Sequence, residues 1–347
     1  MIKAIKRFLI HPAKRRLAKF YLVFLKNIFG LKVIGITGSA GKTTTKEMLA
    51  SILKLKGKTV WTHANIDPIY NIPTTILKCG PLTQYLILEM GIEYPNEMDF
   101  YLWLAKPDIG VITNIFPTHT EFLKNQKGVL AEKSKLVLGR KGSEVAVLNS
   151  ADSLLQSLGK KLKTKVIWFN GRSGPLVANA NAAKAVAKYL GVGIKVISEG
   201  IKRYKRPDHR LKLFKHRSGA VILDDSYNSN PQATLTTLKY FYGLAGKAAK
   251  IGVLGDMLEL GDYEEEGHRL VGQEVARQKF KTVIGVGSAS KYLLDEVGKN
   301  SRSAQTFWAQ DADAALLILE PLLKQNVFVL IKASRAIGLD RLVSKLQ

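Results

Sequence analysis

One glycine-rich run, Gly35-Ile-Thr-Gly-Ser-Ala-Gly-Lys-Thr-Thr-Thr45, carries the residue types that cradle a polyphosphate. Gly38, Ser39, Ala40 and Gly41 are small, so backbone N–H groups from Gly38 to Thr43 can approach one anion. Lys42 can reach the outer phosphates, the Thr43 hydroxyl can hold Mg²⁺, and Thr44 continues the run. The strict nucleotide-loop spacing asks for glycine five residues before Gly41, where Ile36 stands; the glycines fall at Gly35 and Gly38. Further along, Glu89, His119 and Lys133 offer a carboxylate, an imidazole and an amine. Beside a phosphate loop such a set could build a magnesium site. Taken singly, each is a common surface or packed residue.

These groups need elements to hold them. The apolar run Val33 to Ile36 reads as a buried strand, and residues 42–53 read as the helix that opens on the loop. Short β-rich runs at 32–37, 85–89, 109–114, 145–149 and 166–169 alternate with helical stretches at 96–105, 127–138 and 179–190. That alternation predicts a parallel sheet covered by helices, with ligands at the C-terminal ends of its strands. The loop, Glu89 and Asn114 fall at such ends. Charge and Pro207 break the pattern near Tyr204–Asp208, and a second alternating series follows. Its strands are expected at 220–224, 250–254, 282–286 and 327–331, and its helices at 231–244, 263–278, 312–324 and 339–345. The fold class expected is α/β: a P-loop parallel-sheet domain over residues 32–206, then a smaller Rossmann-like domain over 207–347.

Bulk composition narrows the setting. The chain has 347 residues, room for two domains. Cys79 is the only cysteine, which excludes an intramolecular disulfide or an all-cysteine zinc site and suits a reducing cytoplasm. The net charge of +25 favours anionic partners. Residues 1–31 carry Lys3, Lys6, Arg7, Lys14, Arg15, Arg16, Lys19 and Lys26 among many apolar residues, and no acidic residue precedes Glu47. They form a basic amphipathic extension that either packs on the first domain or lies on an anionic membrane surface, at the inner face. Lys19 and Lys26 bracket too short an apolar stretch to span a bilayer. No nucleic-acid recognition motif accompanies the charge.

The loop Gly35–Thr45 resembles that of the Mur ligases, the ATP-dependent amide-forming enzymes of peptidoglycan synthesis. Three further motifs carry the resemblance into the second half: Leu223-Asp-Asp-Ser-Tyr-Asn-Ser-Asn-Pro231, Val253-Leu-Gly-Asp-Met-Leu-Glu-Leu-Gly261 and Lys332-Ala-Ser-Arg335. They are similar to the branch that adds D-Ala-D-Ala to a UDP-MurNAc-tripeptide. The resemblance implies ATP as cosubstrate, two Mg²⁺ sites, and ligation through an acyl phosphate. It assigns Lys42 and Thr43 to the phosphates and first metal, Glu89 to magnesium, and His119 to a second metal. Lys133 matches a lysine often carbamylated, Asn179 an asparagine near adenine, and Arg210 and Asp225 nucleotide contacts from the second domain. Domain closure would then complete the site. Asn65, Thr75, Asn228, Asp256, Glu259 and Arg335 are assigned to the substrates, with local turn and cap bonding as the plainer role for Asp256, Glu259 and Arg335.

The family pattern is departed from in three places. About thirty residues precede the loop's strand, where the family has a UDP-sugar-binding domain. Its Gly-Asn-x-Asn-Asn stretch reads Ala64-Asn-Ile-Asp-Pro68, and Asn71 replaces a usual glycine. The 149–179 segment is short, with Pro175-Leu176 in place of a His-Asn pair. A second reading therefore keeps the chemistry and changes the carboxylate, to a lipid-linked or polymeric one. A third, from another class, is a membrane- or nucleic-acid-associated P-loop ATPase without ligase activity, which would have no need of a second metal site.

Overall fold

The computed structural model describes residues 11–63, 67–139, 142–172 and 174–347. Two compact units emerge: residues through Phe116 with Gln126–Lys205, and Pro117–Asn125 with Arg206–Gln347. The short stretch Pro117–Asn125, which carries His119, thus folds with the second unit.

In the first unit, β1 (Lys32–Thr37), β2 (Thr59–Trp61), β3 (Tyr85–Glu89), β4 (Ile109–Ile112), β5 (Val145–Asn149) and β6 (Lys165–Phe169) form one sheet. Their order is β2-β3-β1-β4-β5-β6, and every pairing is parallel. β1, β3 and β4 lie at the centre with helices over them, so they read as continuous apolar runs. The helix Lys42–Leu53 buries Met48, Leu49, Ile52 and Leu53 against Ile34, Ile36 and Ile87. The helix Pro175–Tyr189 adds Ala182, Ala183, Val186 and Ala187 to the same core. Each fully buried Leu or Ile contributes about 1.5–3 kcal/mol, and this core seats the helix whose first turn follows the glycine-rich loop.

The second unit repeats the scheme. Its strands are β7 (Lys212–Lys215), β8 (Val221–Asp224), β9 (Ala249–Gly255), β10 (Thr282–Val286), β11 (Gln305–Ala309) and β12 (Val327–Lys332). They run in the order β11-β10-β9-β12-β8-β7, parallel except for β7, which pairs antiparallel with β8. The sequence pattern foretold β8, β9, β10 and β12 but not β7 or β11, nor β2 in the first unit. All three are sheet edges with half-exposed or exposed side chains, so none presents an unbroken apolar run.

The basic extension is helical over His11–Phe29 and is partly packed, with Ala18, Leu22 and Leu25 buried. Residues 1–10 of that extension lie outside the described residues. Among the described residues no helix is long and apolar enough to cross a membrane.

Candidate active site

The glycine-rich loop joins β1 to the helix Lys42–Leu53, and its shape depends on two glycines. Gly38 has φ +145°, and a Cβ there would lie 1.9 Å from Thr113 Oγ1. Gly41 has φ +79°, and a Cβ would lie 2.2 Å from Asn179 Oδ1. Any side chain at either position would force the loop off its neighbours.

Those neighbours clamp the loop. Ala40 N donates to Asn114 Oδ1 at 2.8 Å, and Ser39 N to the Asn114 carbonyl at 3.1 Å. Thr113 Oγ1 donates to the Ala40 carbonyl at 2.6 Å, and Ser39 Oγ to the Phe116 carbonyl at 3.0 Å. The N–H groups from Gly38 to Thr43, expected to be able to approach one anion, are not all directed there. Those of Ser39 and Ala40 are spent on Asn114, just beyond β4. The helix beyond begins at Lys42 with no side-chain cap, so the N–H groups of Thr43 and Thr44 in its first turn suit an anion. The Lys42 ammonium donates to the Gly38 carbonyl at 2.8 Å and so lies over the loop.

Thr43 and Glu89 meet directly: the Thr43 hydroxyl donates to Glu89 Oε1 at 2.8 Å. Glu89 ends β3, next to β1 in the sheet, so parallel register delivers it to the loop. The other carboxylate oxygen, Oε2, is 3.2 Å from the ammonium of Lys46, which is fully buried and also 3.2 Å from Glu47 Oε1. Lys46 was not singled out by the sequence, although helical spacing carried the signal. It lies one turn beyond Lys42 and three residues beyond Thr43, on the same helical face. Asn179 is buried, and its Oδ1 accepts from Thr45 Oγ1 at 3.3 Å, so it stands against the loop itself.

Lys133, in the helix Gln126–Ser134, is wholly buried, and its ammonium nitrogen has no hydrogen-bond partner among the described residues. Burial, reinforced by the charge of Lys42, pushes its pKa well below the usual lysine range. Thr75 is buried too, donating to Asn71 Oδ1 at 3.1 Å within the helix Pro68–Ile76. Asn65 lies outside the described residues.

The second unit gathers the remaining candidates. His119 Nδ1 lies 2.5 Å from Glu259 Oε2. That bond holds the Glu259 carboxyl below the usual carboxylate range, against the opposing effect of burial. Both residues have left-handed backbones, φ 55° and 63°, the kind of local strain that collects at functional sites. Asp225 accepts from Lys332 Nζ at 2.6 Å and from Thr237 Oγ1 at 2.9 Å, while Leu211 N donates to its other oxygen. Lys332 also donates to the Asn228 carbonyl, and the Asn228 side chain accepts from Ser229 N. Two guanidinium groups approach Tyr227: Arg210 stands 3.9 Å from its ring centroid and Arg335 5.1 Å, with Arg335 donating to the phenol oxygen at 3.2 Å. Asp256 is buried and accepts from Ser290 N, distant in sequence, at 2.7 Å. Tyr227 and Lys332 stood inside the quoted motifs without being chosen. An aromatic ring beside two arginines is visible only once β8 and β12 are paired.

Known proteins match over nearly the whole chain. A model of the Mur ligase middle domain covers residues 36–207, and one of the Mur ligase, glutamate ligase domain covers 209–335. The UDP-N-acetylmuramoyl-tripeptide–D-alanyl-D-alanine ligase of Bacillus subtilis (strain 168) is 30% identical over 366 residues, spanning 96% of this chain and 79% of that protein. The Escherichia coli (strain K12) ligase of the same name is 26% identical over 353 residues, spanning 91% and 77%. Among solved structures, MurF from Acinetobacter baumannii aligns with a TM-score of 0.84 at 25% identity, covering 97% of this chain and 80% of its own. MurF ligase from Thermotoga maritima in complex with ADP gives 0.84 at 23%, covering 97% and 83%, a likeness of fold.

Proposed function

Because the chain belongs to the Mur ligase family, we propose that it is an ATP-dependent carboxylate–amine ligase that joins D-Ala-D-Ala to a UDP-MurNAc-tripeptide in the cytoplasm. The observation that carries this reading is the Thr43–Glu89 hydrogen bond beneath the Lys42 ammonium, at the mouth of the glycine-rich loop.

The residues fit the chemistry. The first-turn N–H groups and Lys42 bind the β- and γ-phosphates of ATP and offset the charge that moves toward ADP. The substrate carboxylate attacks the γ-phosphorus, forming a C–O–P bond as the bond to ADP breaks. The amine of D-Ala-D-Ala then attacks the acyl carbon, phosphate leaves, and the amine loses a proton. The Thr43 hydroxyl and Glu89 carboxylate are hard oxygen donors suited to Mg²⁺. That ion would supply charge neutralisation at the phosphates. In the second unit, Arg210 and Arg335, both beside the Tyr227 ring, offer a cationic pair to a phosphate or carboxylate.

Lys133 supports the carbamate that the family resemblance implies. Only a neutral amine attacks CO₂, and burial without a hydrogen-bond partner among the described residues favours the neutral form of Lys133. An N–C bond forms as one C–O π bond of CO₂ opens, the nitrogen loses a proton to solvent, and the neutral amine becomes an anionic carbamate. Lys133→Ala is expected to abolish ligation, with partial recovery in formate; full activity in that variant would remove the carbamate.

The test of the whole reading is ADP release with UDP-MurNAc-tripeptide and D-Ala-D-Ala, scored by the mass of the product. An amide product lighter by one water than the two substrates together supports it. ATP turnover without amide, stimulated by lipid or nucleic acid, would replace it with a P-loop ATPase. Amide formation only with another carboxylate would keep the chemistry and change the substrate.

A further inference from the structure

The helix His11–Phe29 presents its apolar residues the wrong way round for a solvent-facing helix. It is held on the first unit by a narrow stripe of Ala18, Leu22 and Leu25. Side-chain bonds fix its rotation. Lys14 Nζ donates to Thr74 Oγ1 at 2.9 Å, Tyr21 OH to the Cys79 carbonyl at 2.9 Å, and Lys26 pairs with Asp108 at 2.8 Å. With the helix so fixed, its outward face carries Leu17, Phe20, Phe24 and Ile28, exposed by 61%, 70%, 51% and 64%. Their spacing of three, four and four places them in one line along the helix. Val23 and Phe29 widen it. Surface helices normally carry polar residues there, and a contiguous exposed apolar face marks an interaction site.

Charge decides among occupants. Lys14, Arg15, Arg16, Lys19 and Lys26 lie on this helix, Lys3, Lys6 and Arg7 precede it, and the chain has no acidic residue before Glu47. A second copy would set the same basic surface against itself in a molecule of net charge +25, which opposes self-association. An anionic bilayer takes both features at once, apolar side chains at the acyl boundary and cations among the headgroups. The helix flank is built to match. Lys19 Nζ sits 4.4 Å from the centroid of Trp103, a half-exposed indole, and Arg15 lies 5.2 Å from that of Phe100. Tryptophan beside basic residues is the composition of a membrane interface.

We propose that the outward face of the helix His11–Phe29 docks the protein on an anionic lipid surface, with the helix lying in the plane of the interface. This inference stands on its own observations and does not depend on the ligase reading.

Co-sedimentation of the full chain with phosphatidylcholine vesicles, with and without about one-third phosphatidylglycerol, tests it. Binding is expected to the anionic vesicles and to fall about tenfold in Phe20→Ser/Phe24→Ser. It is also expected to fall in about 0.5 M salt. The substituted residues are exposed, so the variant should keep the wild-type melting temperature, which is measured alongside. Three results would overturn the proposal: no binding to anionic vesicles, equal binding by the variant, or a concentration-dependent dimer that the variant abolishes. The last would make a second copy the occupant.

Discussion

The ammonium of Lys46 lies 3.2 Å from Glu89 Oε2, while Thr43 donates to the other oxygen of the same carboxylate. Lys46 is fully buried and makes no hydrogen bond of good geometry among the described residues, so the two carboxylates beside it, Glu89 and Glu47, hold its charge. Both oxygens of Glu89 are thereby fixed at the mouth of the glycine-rich loop, before any ligand arrives.

Removing one member of a buried pair leaves the other uncompensated, at a cost of about 3–5 kcal/mol. Lys46→Met is therefore expected to lower the unfolding free energy by about that amount. The double variant Lys46→Met/Glu89→Gln should lose less than the sum of the two single changes. Urea denaturation of the four proteins measures this. Strict additivity would mean that Lys46 and Glu89 are neighbours without coupling.

Gly38 is required for a reason that its neighbour supplies. A methyl group there would collide with Thr113 Oγ1, and its φ of +145° is one that L-residues rarely adopt. Gly38→Ala should cost about 1–3 kcal/mol of stability through backbone strain and weaken ATP binding. Thr113→Ala removes the obstructing oxygen and one hydrogen bond to Ala40. If the collision matters, adding Thr113→Ala to Gly38→Ala should cost less than Thr113→Ala does alone. Calorimetric titration with a non-hydrolysable ATP analogue, beside urea unfolding, separates loss of the loop from loss of the fold.

His268 sets an acid limit on the second unit. It is buried, its Nε2 accepts from Met257 N at 3.0 Å, and Nδ1 bonds the Glu264 carbonyl at 2.7 Å, a neutral imidazole used at both nitrogens. Burial lowers its pKa below the ordinary imidazole range, against the Glu264 bond, which raises it. A folded pKa below the unfolded one means that the unfolded chain binds more protons as pH falls through about 6.5. Stability from this group is therefore full above that pH and is lost as pH drops toward the folded pKa. The urea midpoint should fall between about pH 7.5 and pH 5.5, and fall less in His268→Gln. Parallel declines in both proteins would assign the acid sensitivity to other groups.

The glycine-rich loop, its strand and its helix were legible in the sequence because each is local. β1 spans Lys32–Thr37 and the helix Lys42–Leu53, the bounds that the apolar run and the helical pattern predict. The alternation of strands and helices likewise disclosed two α/β units, since central parallel strands are buried on both faces and show it as unbroken apolar runs. Edge strands β2, β7 and β11 were not legible, because a half-exposed strand mixes its residue types.

Pairings across the chain belonged to the tertiary structure alone. Nothing in the spacing of residues 43, 46 and 89 brings Thr43 and Lys46 to the two oxygens of Glu89; the parallel register of β1 and β3 does. Nor does composition say that Ser39 and Ala40 spend their N–H groups on Asn114, or that Arg210 and Arg335 both approach Tyr227. The sequence determined which chemical groups are present and which short elements carry them, because propensity and periodicity act over a few residues. Which group meets which was decided by strand order and by the burial that rewards it, and those are properties of the whole folded chain.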